Sequence, residues 1–144
     1  MTRDVVVTEV GSGLAQEVRA GQQVFRSDEP VSVGGTDTGP DPYALLLAAL
    51  GACTSMTLRL YARKKGWPLE GISVALSHER THEKDCQDCE TKEDARISRI
   101  TREIALTGAL SAEQRARLLE IAERCPVHRT LAGRAQIDTV LADA

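Results

Sequence analysis

The stretch GPDPYALLLAALGACTSMTLRLYARKKG, residues 39–66, decides how the rest of the chain is read. Asp41 can cap a helix, and Pro42 suits the first helical position, where no amide donor is needed. From Ala44 to Tyr61 nearly every side is apolar, which predicts a buried central helix and not a surface one. Lys64 and Lys65 complement the negative end of its dipole, and Gly66 followed by Trp-Pro stops it. The apolar run ahead of Cys53 is on the order of ten residues, well short of the ~20 that span a bilayer, so no membrane span is expected.

On the N-terminal side, VVVTEV, AQEVRA and QQVFRS read as short strands separated by Gly-Ser-Gly and Ala-Gly punctuation. The segment VGGTDTGPDP is too rich in Gly and Pro for a regular element and reads as a loop. On the C-terminal side, GISVALSHERTH alternates Ile72, Val74, Leu76 and His78 against smaller or polar neighbours, a half-buried strand. The acidic stretch EKDCQDCETKED reads as a loop or hairpin tip, and a second strand follows with Ile100, Ile104 and Leu106 on one face. Ser111 and Gln114 form a capping-box pattern opening a helix that runs to about Cys125, with Leu118, Ile121, Ala122 and Cys125 on one face. Pro126 breaks that helix or starts a tight new turn, and RAQIDTVL closes the chain as a strand. Strands grouped around two helices without βαβ alternation predict the α+β class.

A chain of 144 residues fits a single domain spanning 1–144. Hydrophobic content of 42% with 27% charged residues predicts a globular protein with a real core. A net charge of −3 argues against nucleic acid as a partner, since that partner wants a basic face. The first residues, MTRDVVVTEVGSG, lack a long apolar stretch, so a cytoplasmic location is expected. In a reducing cytoplasm the four cysteines are expected as thiols, metal ligands or redox groups rather than permanent staples.

Cys53 and Cys125 allow two readings. A cysteine on an apolar helix is first of all a small hydrophobe in a core. Two cysteines brought together can do more: a thiolate attacks an O–O bond, becomes a sulfenic acid, and is resolved by the second thiol. Cys53 would need a nearby cation or donor to become nucleophilic against the effect of burial. Pro126 at the first position of a following turn could leave Cys125 at its N-cap, facing amide donors. Arg124, His128 and Arg129 add positive or protonatable groups to that neighbourhood, or simply form a solvated helix end. In THEKDCQDCE, the residues His82, Cys86 and Cys89 have spacing compatible with three soft ligands around zinc, with His78 or a carboxylate as a fourth. No second paired motif accompanies them, and an exposed thiol pair or labile disulfide is the competing reading.

The run GPDPYALLLAALGACTSMTLRLYA together with CPVHRTL resembles the OsmC / organic hydroperoxide resistance family, closest to the OsmC-like branch that also occurs fused behind α/β-hydrolase domains. The resemblance implies the OsmC-like fold: antiparallel sheets packed around two long helices in an intertwined homodimer. It implies thiol-dependent reduction of organic hydroperoxides without haem, flavin or metal. Cys53 would be the peroxidatic thiol and Cys125 the resolving one, with a dithiol such as a lipoylated protein as reductant. An activating arginine is part of that pattern, and Arg26 lies in the region before the GG-loop where it is expected. The peroxidase branch carries a glutamate where this chain has Tyr43, which supplies no carboxylate. That departure favours the alternative, an OsmC-like redox-sensing or small-molecule-binding protein with little peroxidase turnover. The apolar residues Leu50, Met56 and Leu60 predict a preference for bulky organic hydroperoxides over hydrogen peroxide.

Overall fold

The computed structural model describes residues 5–80 and 97–142. The chain divides into two compact units, one up to Ala48 and one from Ala49 onward. In the first unit the three N-terminal strands form as expected: β1 (Val5–Glu9), β2 (Gln16–Ala20) and β3 (Gln23–Ser27). They pair antiparallel in the order β1-β2-β3. Val18 of β2 is buried, whereas Val5, Val6 and Val7 of β1 are all exposed.

The loop after β3 contains one 3-10 turn, Val31–Val33, and is organised around a single carboxylate. Asp28 is 2% exposed and accepts hydrogen bonds from the Thr36 hydroxyl (2.6 Å), the Thr38 hydroxyl (2.7 Å) and the amides of Glu29, Thr36 and Thr38. The chain closes so tightly that a Cβ on Gly35 would lie 1.9 Å from the Glu29 carbonyl oxygen, so only glycine fits. The Thr36 and Thr38 hydroxyls, with the backbone amides, hold the Asp28 carboxyl well below the usual carboxylate range.

In the second unit the decisive stretch forms one helix, α1 (Pro42–Lys65), which begins before the unit boundary. Asp41 Oδ1 accepts from the Ala44 amide at 2.7 Å, and Gly66 ends the helix with φ of 68°. One expectation about α1 needs correction. It is not buried all round: Leu50, Gly51, Thr54, Leu58 and Ala62 form one buried stripe, while Met56 and Leu60 are 65% and 64% exposed. Its bounds are those read from Asp41, Pro42 and Gly66, and by length and composition alone it could cross a bilayer. Its packing is that of a core helix, because Leu58 and Ala62 belong to one cluster with Leu69, Leu118, Ile121 and Ala122.

That cluster sits on a two-stranded antiparallel sheet, β4 (Gly71–Arg80) and β5 (Ile97–Thr107). The period-2 reading holds: Ile72, Val74 and Leu76 pair with Leu106, Ile104 and Arg102, and the half-buried positions alternate along both strands. α2 (Ala112–Ala122) opens with the expected reciprocal capping box between Ser111 and Gln114. It ends three residues before Cys125 rather than at it, because the residue before a proline is pushed out of helical geometry. Cys125 is extended (φ −62°, ψ 137°), and a separate short helix, α3 (Pro126–Ala132), follows.

The expected C-terminal strand is absent among the described residues. The segment after α3 has no regular structure, and Ile137, Val140 and Leu141 are 84%, 89% and 97% exposed. The segment reads as a strand in the sequence, but a strand needs an edge to bond to, and no strand edge among the described residues pairs with it.

The Asp28 cluster yields a stability prediction with a defined sign. Its folded-state pKa is depressed, so its stabilisation is fully present above the ordinary value of 3.8 and is lost as pH falls towards the folded value. Asp28→Asn should lower the melting temperature by several degrees at neutral pH. That gap should narrow steadily below about pH 4, as differential scanning calorimetry of both proteins would read out.

Candidate functional site

Four side chains from three elements of the second unit meet around Cys125. Thr54 comes from the buried stripe of α1, four residues after Leu50 and four before Leu58, and is 0% exposed. Its neighbour in sequence, Cys53, is half-buried. Cys125 is 0% exposed and caps α3, where Sγ accepts from the His128 amide at 3.2 Å. The Cys53 side chain lies near that of Cys125. Both are free cysteines.

The cation of the site comes from β5. Arg102 occupies the inward position between Ile100 and Ile104, and its guanidinium reaches out in two directions. Nη1 donates to Thr54 Oγ1 at 3.0 Å, and Nη2 lies 3.1 Å from His128 Nδ1. A guanidinium can only donate, so Nδ1 is the acceptor and the proton of the neutral imidazole sits on Nε2. Thr54 Oγ1 in turn donates to the Leu50 carbonyl at 2.7 Å and stands 4.0 Å from Cys125 Sγ.

These contacts compete over one ionisation. Burial pushes the Cys125 thiol up, while the His128 amide, the Cys53 and Thr54 side chains and the Arg102 charge pull it down. The downward group prevails, and Cys125 lies below its ordinary value of 9.0. A larger share of thiolate at neutral pH follows.

Beside the cluster lies a cavity of about 410 Å³ that shares Arg102 and His128 with it. Leu50, Ile100 and Leu131 supply an apolar wall, and Arg99 adds a second guanidinium. Such a space takes an organic group on one side and an oxygen-rich end on the other. Met56 and Leu60 are not part of it. They line a separate depression with Arg59, Arg63 and Ile72, so of the three apolar residues named for substrate preference only Leu50 faces the cavity.

Sequence reasoning paired Cys53 with Cys125 and foresaw the N-cap, but it missed Arg102 and Thr54. A signal for Arg102 was there: in ISRITREIAL the inward row runs Ile100, Arg102, Ile104, Leu106, and a charge in an apolar row asks for a partner. Of Arg124, His128 and Arg129, only His128 joins the cluster; the two arginines are exposed. Arg26 sits exposed on β3 of the first unit, opposite Glu17. His82, Cys86 and Cys89 lie outside the described residues.

Removing the cation should show in the thiol. In Arg102→Met the titration of Cys125, followed through the pH dependence of labelling of its peptide, should move up, since both the charge and the anchor of Thr54 are lost. Arg102→Lys keeps the charge but not the fork, so it should fall between the two.

Comparison with known proteins agrees with this geometry at the level of family and fold. Residues 35–140 match the family model described as OsmC-like protein. No curated protein matches the chain. A Psychrobacter arcticus protein, named for osmotic-stress induction and detoxification response, is 20% identical. It aligns over 90% of this chain and 88% of its own, with a TM-score of 0.75. An OsmC-like protein of Mycoplasma pneumoniae is also 20% identical, over 92% and 90% of the two chains, with a TM-score of 0.72. An organic hydroperoxide resistance protein OsmC of Legionella pneumophila is 18% identical over 92% of each chain, with a TM-score of 0.67. At these identities the likeness carries the fold, and the family match carries the membership: the chain belongs to the OsmC-like protein family.

Proposed function

We propose that this protein is a thiol-dependent peroxidase that reduces organic hydroperoxides through Cys53 and Cys125. The observation that carries the reading is the juxtaposition of the two thiols, one half-buried and one fully buried among hydrogen-bond donors. In the first step the Cys53 thiolate attacks the terminal oxygen of the hydroperoxide. The O–O bond breaks, sulfur gains the oxygen as sulfenic acid, and the organic part leaves as an alcohol after taking a proton. In the second step the Cys125 thiolate attacks that sulfur, and the hydroxyl leaves as water with one proton from solvent. A dithiol then returns both cysteines to thiols by two exchanges. The cavity beside the cluster supports the organic preference, since its apolar wall gains by covering an alkyl group while Arg99 and Arg102 face the oxygens.

A redox-sensing or ligand-binding role uses the same thiols without rapid turnover, and Tyr43 in place of the peroxidase branch's glutamate is the feature that favours it. Hydroperoxide consumption with a dithiol reductant separates the two. Cys53→Ser should abolish it, because a hydroxyl cannot replace the thiolate as nucleophile at neutral pH. Cys125→Ser should allow the first oxidation and then strand Cys53 as sulfenic acid. In the wild type, one equivalent of organic hydroperoxide should give a Cys53–Cys125 disulfide on peptide mapping. Two thiols that stay reduced under that treatment would leave the pair as core cysteines.

The protein acts, on this reading, as a homodimer. The outward face of α1, with Met56 and Leu60, leaves apolar surface open. The segment carrying Ile137, Val140 and Leu141 pairs with no strand among the described residues, and a second copy supplies cover for both. Sedimentation at micromolar concentration should give a dimer, and Leu60→Asp should weaken it. A stable, folded wild-type monomer at that concentration contradicts the assignment.

A further inference from the structure

We infer that Thr54 is the positioning residue of the resolving half-reaction: its buried hydroxyl anchors Arg102 and turns its proton from the Leu50 carbonyl to Cys125 Sγ as that sulfur becomes the thiolate that attacks oxidised Cys53. The inference rests on the peroxidase reading above for its role in the reaction, and on the geometry of Thr54 alone for the hydrogen bond.

A threonine hydroxyl has one proton and two acceptor lone pairs. Here one lone pair is held by Arg102 Nη1 at 3.0 Å and the proton is directed to the Leu50 carbonyl at 2.7 Å. The remaining lone pair faces Cys125 Sγ at 4.0 Å, where it can accept from a neutral S–H. Once Cys125 loses its proton, a lone pair facing a thiolate is repulsive. Rotation of the hydroxyl about χ1-fixed Oγ1 relieves this, because it brings the proton onto sulfur. The Leu50 carbonyl tolerates the change, since the amide of its own helical turn remains available to it. Arg102 stays bound in both states, because it needs only a lone pair.

The surroundings favour the charged state of Cys125 over other anions. The titratable and charged groups that face it are Cys53 from α1, Arg102 from β5 and His128 from α3. Among the described residues Arg102 makes no ion pair with a carboxylate. Its charge is therefore left for a thiolate. A valine at position 54 would have nearly the same shape and keep the packing of the α1 stripe, but would hold neither the guanidinium nor the sulfur.

The test uses the full-length protein with isotopically labelled cysteine and follows the Cys125 Cβ shift by NMR as pH is raised under reducing conditions. Thr54→Val should move the Cys125 titration up by about one pH unit, the scale of one hydrogen bond to a charged group. After excess organic hydroperoxide, the overoxidised fraction of Cys53 should rise several-fold in this variant, because resolution is slowed. Thr54→Ser keeps the hydroxyl and should restore both readouts. An unchanged titration in Thr54→Val overturns the inference, as does a Thr54→Ser shift as large as that of valine, which would assign the effect to the methyl group. Absence of a Cys53–Cys125 disulfide in the oxidised wild type would instead overturn the peroxidase reading, and with it the resolving role, while the titration still decides the hydrogen bond.

Discussion

The second unit depends on satisfying one half-buried guanidinium. Arg102 enters the inward row of β5 because the strand period puts it there, and a charge in that row is costly unless every donor finds an acceptor. It finds Thr54 on α1 and His128 on α3, so a single planar fork ties three elements together at fixed spacing. The apolar cluster of Leu58, Leu118 and Ile121 supplies the bulk of the packing, but it is non-directional and would tolerate small shifts of α3. The fork does not. Cys125 is placed by α3, and Cys53 by α1, so the geometry of the thiols is set by how Arg102 is held.

The two polar clusters of this chain show how structure and chemistry part. Asp28 receives five hydrogen bonds, each from a group on its own loop, and the loop can form only around it. Its carboxylate is turned onto its own loop, and its burial makes it a staple. The Cys125 cluster is built differently. Thr54 holds its proton on a backbone carbonyl that has another partner, and a cavity opens beside Arg102 and His128. A site that can change state needs such slack, since a fully satisfied network only resists change.

What the sequence made legible follows from range. Local chemistry was readable: Asp41 and Pro42 opening α1, Gly66 ending it, the Ser111–Gln114 box, and the alternation of β4 and β5. Pro126 was readable both as an interruption and as the start of a turn capped by Cys125, and the cap is what the structure shows. The meeting of residues 54, 102, 125 and 128 was not readable, because strand period tells which way a side chain faces and not what lies opposite. The family resemblance supplied the pairing of Cys53 with Cys125 and named Arg26 for the cation, but it gave no signal for Arg102, the guanidinium that the second unit itself brings to the cluster. The C-terminal segment failed for another reason. Its pattern of Ile137, Val140 and Leu141 is strand-like, yet pairing depends on an available edge, which a sequence pattern does not encode.

On the proposed mechanism, exposure orders the roles of the two thiols. A sulfur that meets an oxidant from solution must be reachable, and Cys53 is half-buried whereas Cys125 is wholly enclosed. A resolving thiol has the opposite requirement: it reacts only with its neighbour, and enclosure protects it from the oxidant. Enclosure alone would also raise its pKa and make it a poor nucleophile, and the groups around Cys125 act against that rise. The His128 amide, the Thr54 hydroxyl and the Arg102 charge thus offset the one drawback of hiding a thiol. On the proposed mechanism the protein spends its electrostatics on the second step, so that an oxidised Cys53 meets a partner already close to the thiolate form.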